Sequence, residues 1–207
     1  MMERQKILAD AFVFEKDPKL AGWEEACGFS LEKARLDFTS LHNQRRGLIA
    51  SMLKRSYAEF LKCDGEHWHP EISKWEEFDR MVFDHSETVG ACMFLSWFGD
   101  LLIGFGSYDP RQEPGFGIVG YNCILPGFRG LGFGKRQIRE ILRRFRIRGI
   151  RIAKTSTLSG ERHNSAQRMY VACGFRETGR RLWEGNPSQT VVYYEKKVSD
   201  DTLDRTV

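Results

Sequence analysis

The chain has 207 residues and a mass of 24.0 kDa; it is 41% apolar, 13% aromatic and 29% charged, enough for one sizeable core and unlike a disordered or collagen-like chain. No run approaches the roughly 18 apolar residues of a membrane span, and the charge-broken opening MMERQKILADAFVFEKD lacks a signal-peptide core, so no membrane partner is expected. The net charge of +4 is unevenly laid out: residues 1–128 carry 14 basic and 20 acidic side chains, residues 129–154 carry ten basic and only Glu140, and residues 155–207 carry eight and seven. A polyanionic partner and a solvated basic helix face both account for such a band.

Residues 1–30, with Pro18 and Gly22 interrupting any long helix, read as an N-terminal extension, residues 31–198 as the domain, and residues 199–207 as a tail. Leu36 and Phe38 alternate with Arg35 and Asp37 in a short strand. Leu48, Ile49, Met52, Leu53, Tyr57 and Phe60 recur at helical spacing and predict one helix near 47–61. The polar stretch 63–74, with Gly65 and Pro70, reads as an exposed loop, and a second helix follows near 75–84. Strands 91–97 and 101–108 form a hairpin around Phe98-Gly99-Asp100, and a third runs from 116 to Leu125. Ile138, Ile141, Leu142 and Phe145 mark a helix over 134–147, Ile150–Thr155 a strand, and 162–173 a helix ended by Gly174. Strands near 175–182 and 190–198 close a mixed α/β chain with one sheet of about seven strands.

Five widely spaced cysteines (Cys27, Cys63, Cys92, Cys123, Cys173) form no C-x-x-C pair, which points to reduced packing thiols in a cytoplasmic protein. His67-Trp68-His69 has no third ligand at a recognisable spacing, so no metal is expected. The densest signal is ILPGFRGLGFGKRQI, 124–138: a strand ends at Pro126, and a turn with Gly127, Gly130, Gly132 and Gly134 opens into an amphipathic helix. Such a turn presents unpaired N–H groups at the positive end of a helix dipole, an anion site. It is neither a Walker A loop nor a dinucleotide fingerprint; the G-x-G-x-x-G from Gly115 to Gly120 opens a strand instead.

Arg129-Gly130-Leu131-Gly132-Phe133-Gly134 resembles the R/Q-x-x-G-x-G/A signature of the GNAT superfamily of acyl-CoA-dependent N-acyltransferases, and HNSAQRMYVACGF (163–175) is similar to that family's N-x-x-A-x-x-x-Y-x-x-x-G-F helix. The resemblance covers roughly residues 31–198 and implies a mostly antiparallel sheet with helices on both faces and a splayed pair of parallel central strands. It implies acetyl-CoA as donor, its diphosphate on the N–H groups of Arg129, Gly130, Leu131, Gly132, Phe133 and Gly134 with Lys135 beside them, and its pantetheine arm along Cys123 and Ile124. Asn164 is a further cofactor contact, one residue late against the family's pattern, where His163 stands. Tyr170 is, by analogy, the acid that protonates the departing thiolate, and an amine acceptor, small molecule or protein, attacks directly.

Where many members carry a Glu, Ile118 stands and cannot accept a proton, so the base is unassigned: Asp109, Glu113, His163 or a water chain supplies it, or the amine arrives already neutral. In the family the connection between the first two helices and the one before the last strand (Glu184–Ser188) wall the acceptor pocket; Asp64, Glu66 and Glu71 with Trp68 there favour a cationic amine. Arg136, Arg139, Arg143 and Arg146 lie opposite the apolar stripe of their helix without an aromatic platform, so no nucleic-acid partner is expected. A homodimer is compatible with the sequence. The alternatives to an acetyltransferase are a non-catalytic acyl-CoA binder of the same fold, motivated by Ile118, and a nucleic-acid-binding module.

Overall fold

The computed structural model describes residues 35–160 and 163–198; the expected extension, 1–30, and tail, 199–207, lie outside the described residues. In chain order the elements are β1 (Leu36–Thr39), α1 (Leu48–Ser56), α2 (Ala58–Cys63), α3 (Gly65–Asp84), β2 (Met93–Phe98), β3 (Leu101–Gln112), β4 (Phe116–Ile124), α4 (Phe133–Ile147), β5 (Ile152–Leu158), α5 (Asn164–Ala172), β6 (Arg176–Trp183) and β7 (Asn186–Lys197). The seven strands form one sheet in the order β1-β2-β3-β4-β5-β7-β6. β4 and β5 run parallel, joined through α4 as a parallel pair requires, and their neighbours are antiparallel. The mixed sheet expected from the sequence is present. Among the described residues no helix is long and apolar enough to cross a membrane.

Helices cover both faces, which is why β2 is apolar on both sides apart from Ser96. Met93 and Leu95 join Ile49, Leu53, Trp75 and Phe105 in the core beneath α1 and α3. Phe94, between them, points the other way into a second core with Ile138, Ile141, Phe145 and Tyr170 of α4 and α5. The expected hairpin closes with Phe98 opposite Leu101 and Gly99 at φ +57°.

Two sequence expectations need correction. The helix expected over 47–61 divides at Tyr57, whose ring turns inward onto Trp68 and Trp75 at 5.1 and 5.2 Å between ring centres. The segment read as a loop, 63–74, is instead largely helical: Cys63 closes α2, Asp64 caps the next helix, and residues 65–74 form the first half of the 20-residue α3. Trp68, Ile72, Trp75, Asp79 and Val82 continue one inward stripe, while Glu66, His69, Pro70 and Ser73 face water. Pro70 removes one hydrogen bond near the helix start, and burial of Trp68 and Trp75 outweighs that loss.

Candidate active site

The sheet opens at its centre. β4 and β5 pair through Phe116–Ile118 and Ile152–Lys154 and then part. Beyond that point β4 stays with β3 as far as Ile124, and β5 stays with β7 as far as Leu158. Tyr170, buried on α5, sends its hydroxyl into this split, where the Asn122 side-chain amide donates to it at 3.3 Å. Thr155, the first β5 residue past the last shared pair, lies close enough to act on the same hydroxyl. Burial pushes the Tyr170 phenol above the ordinary tyrosine range, against the downward pull of Thr155 and Asn122, so the group keeps its proton at neutral pH.

At the end of β4 the chain turns through Pro126–Phe128 and passes Gly130 and Gly132 at φ +83° and +84°, a region that side chains rarely adopt. Gly132 caps α4 without a side-chain hydrogen bond, and Arg136 N–H to the Gly132 carbonyl (3.2 Å) begins the helical ladder. The N–H groups of Phe133, Gly134 and Lys135 therefore precede it and aim along the helix axis. Phe133 anchors this end against Phe98 (5.0 Å), and Met169 of α5 lies so close to Gly134 that an added Cβ would meet its sulfur at 2.8 Å. Gly130, Leu131 and Lys135 are exposed and Gly132 partly so. Arg129, at the start of this turn, is engaged within the protein. Its N–H donates to the Pro126 carbonyl (3.1 Å), and its guanidinium folds back onto the carbonyls of Ile124 (3.0 Å) and Ser56 (2.7 Å). In this structure Arg129 ties the turn to the end of α1.

Gln137, missed in the sequence, is 1% exposed and donates its amide to Ser96 Oγ (2.7 Å) and to the Cys123 carbonyl (3.2 Å), pinning β4 where it has left β5. Gly104 makes room: an added Cβ there would lie 2.2 Å from the Cys123 carbonyl oxygen and 2.9 Å from Gln137 Nε2. A polar residue four positions from both Phe133 and Ile141, inside an apolar stripe, was the signal for it. Burial pushes the Cys123 thiol up to about 11, whereas Cys63 is exposed. At pH 8 iodoacetamide is therefore expected to label Cys63 long before Cys123, as peptide mass spectrometry checks; fast labelling of Cys123 in the folded protein contradicts this packing.

Among the other predicted residues, Ile124 closes β4 and is half-buried, and Asn164 is exposed as the first residue of α5. Ile118 is the last β4 residue paired with β5. Asp109 lies opposite it, held by Arg111, roughly 13 Å along the strand from Asn122. Glu113 pairs with Arg148 farther along still. The structure brings neither acid to the split. His163 stands at the start of α5, its ring 4.9 Å from Phe60 and 5.9 Å from Trp68. Among the described residues no three His, Cys, Asp or Glu side chains are grouped to hold a metal. Part of the basic band is already engaged: Arg143 and Arg144 pair with Glu140, and Arg144 lies over the Phe94 ring at 4.6 Å.

The comparisons agree with this geometry. Residues 49–175 match the family model described as the acetyltransferase (GNAT) family. A GNAT-family protein from Desulfovibrio desulfuricans shares the fold at TM-score 0.64 and 16% identity, over 80% of this chain and all of its own. An aminoglycoside 6'-N-acetyltransferase complexed with coenzyme A (TM-score 0.60, 10% identity) spans 81% of this chain and 99% of its own. A Vibrio cholerae spermidine N-acetyltransferase chimera (TM-score 0.58, 17% identity) spans 79% and 95%. No curated protein sequence matches significantly. With the family model covering more than half of its length, the chain belongs to the GNAT family and is an acyltransferase, an N-acetyltransferase that draws its acetyl group from acetyl-CoA.

Proposed function

We propose that this acetyltransferase passes the acetyl group to a primary amine by direct attack in a ternary complex, at the split between β4 and β5. The observation that carries the reading is the protonated Tyr170 hydroxyl lodged in that split, within reach of both strands. The donor's diphosphate lies on the N–H groups from Gly130 through Lys135, with Leu131, Gly132, Phe133 and Gly134 between, and Asn164 nearby. The pantetheine arm follows the β4 edge at Cys123 and Ile124, whose backbone dipoles polarise the thioester carbonyl. The neutral amine attacks that carbon; a C–N bond forms and the C–S bond breaks. Tyr170 gives its proton to the departing thiolate, and the surplus proton on nitrogen passes to solvent. Residues 31–198 make up the catalytic domain in this reading, and the reduced thiols suit a cytoplasmic protein.

Thiol release from acetyl-CoA across an amine panel tests the reaction; no release with any amine, at a donor concentration shown to bind, rejects it. The turn is tested by a matched pair. Gly132→Ala and Gly149→Ala each force a residue at φ +84° or +71°, an expected cost of about 1–2 kcal/mol at either site. Gly132→Ala alone is expected to weaken acetyl-CoA binding, by about tenfold in calorimetric titration. Equal donor affinity in the two variants removes the turn from the donor site.

A further inference from the structure

The Tyr170 hydroxyl carries one hydrogen, and the groups around its oxygen decide where that hydrogen points. Asn122 Nδ2 lies 3.3 Å from this oxygen and 3.2 Å from the Gly120 carbonyl oxygen. A carbonyl oxygen only accepts, so the contact with Gly120 fixes which end of the Asn122 amide is nitrogen, and an amide nitrogen only donates. The Tyr170 oxygen therefore accepts from Asn122, and its own hydrogen is turned away from that side chain. Thr155, close to the same hydroxyl on β5, both donates and accepts and so sets no direction by itself. Of these two neighbours only Asn122 imposes a polarity.

β4 is bent to bring the amide there. Gly106 and Tyr108 of β3 pair with Asn122 and Val119 of β4, so Ser107 by itself faces both Gly120 and Tyr121. Such a bulge re-aims the side chains beside it. Ser107 holds the bend, its hydroxyl donating to the Tyr121 carbonyl at 2.7 Å. Gly120 leaves room for that hydroxyl, which an added Cβ would meet at 2.6 Å. Asn122 lies beyond Ile118, the last β4 residue paired with β5, and so stands where the two strands have parted.

We propose, on the acetyl-transfer reading above, that Asn122 is a positioning residue for the acid step: its amide directs the Tyr170 hydrogen toward the departing sulfur and steadies the phenolate left behind. In that step the C–S bond breaks, its electron pair stays on sulfur, and Tyr170 gives its proton to that sulfur. The negative charge then sits on the Tyr170 oxygen, where the Asn122 N–H becomes a charge-assisted donor, stronger than it was to the neutral phenol. Solvent returns a proton to the phenolate before the next turnover.

A double-mutant cycle on kcat tests this, with thiol release read at saturating acetyl-CoA and the fastest of butylamine, 2-phenylethylamine, spermidine and kanamycin as acceptor. Asn122→Leu removes the donor and keeps the size of the side chain; Asn122→Ala removes it without branched bulk. With Tyr170 present, each is expected to lower kcat by about 10- to 100-fold and to leave the KM for acetyl-CoA within about twofold. In the Tyr170→Phe background the same substitutions are expected to change kcat by less than about threefold, because the hydroxyl they act through is gone. An equal loss in both backgrounds assigns Asn122 to the packing of β4 and overturns the proposal, as does an unchanged kcat with Tyr170 present. Unchanged turnover in Tyr170→Phe alone removes the acid role itself, and the role of Asn122 with it.

Discussion

Tyr170→Phe is expected to lower kcat by about 10²- to 10⁴-fold while the affinity for acetyl-CoA stays nearly constant. The two outcomes separate because the substitution removes one oxygen and keeps the ring. That ring packs edge-on against Phe175 at 5.6 Å and beside Tyr194 at 5.9 Å, contacts that phenylalanine preserves. Asn122 is not orphaned, since its amide also donates to the Gly120 carbonyl at 3.2 Å. Stability should therefore fall by only about 1 kcal/mol. The pH dependence has a definite sign. Burial disfavours the phenolate and raises the folded value, so the acid form persists beyond the ordinary 10.0, and the loss of kcat due to Tyr170 comes above that pH. Unchanged turnover in Tyr170→Phe, or an alkaline midpoint below that value which disappears in the variant, contradicts the role.

The second large effect is on the fold. Asp79 is 2% exposed on α3, and its carboxylate accepts from the N–H groups of Gly47 (2.7 Å), Ile49 (2.9 Å) and Ala50 (3.3 Å) at the start of α1. Gly47, the cap residue itself, has no side chain to do so and sits at φ +94°. The cap is therefore supplied by another helix, with a negative charge at the positive helix end. Asp79→Ala leaves these donors buried without their acceptor and is expected to cost about 3 kcal/mol, measured by urea unfolding. The corresponding fall in Tm is roughly 6–12 °C. Asp79→Asn, which keeps an acceptor oxygen, should recover part of the loss. A cost below about 1 kcal/mol for Asp79→Ala would show that water replaces the carboxylate.

α1 and α3 also mark how far the sequence could be read. Apolar spacing located α1, since Leu48, Ile49, Met52 and Leu53 repeat at its period. It stops short for α3, because Gly65 and Pro70 are loop residues by propensity, and Trp68 and Ile72 alone are too few to mark a helical period. Packing of those two side chains overrode the local preference. The break at Tyr57 has the same origin: its ring gains more against Trp68 and Trp75 than an unbroken helix would offer.

By itself the sequence determined the strand count, the glycine turn leading into α4, and Tyr170 on α5. Each is written in contiguous residues whose backbone needs and apolar period are local. Tertiary structure alone decided what those parts do together. Asn122 meets Tyr170 across 48 residues, Arg129 reaches the carbonyl of Ser56 across 73, and Gln137 of α4 meets Ser96 of β2 across 41. The charge divides likewise: the basic band over 129–154 is visible in composition, but Arg129 serves two carbonyls and Arg143 and Arg144 serve Glu140. Periodicity states which face a side chain occupies; the partner it finds there depends on how the faces pack, and packing is a property of the whole fold.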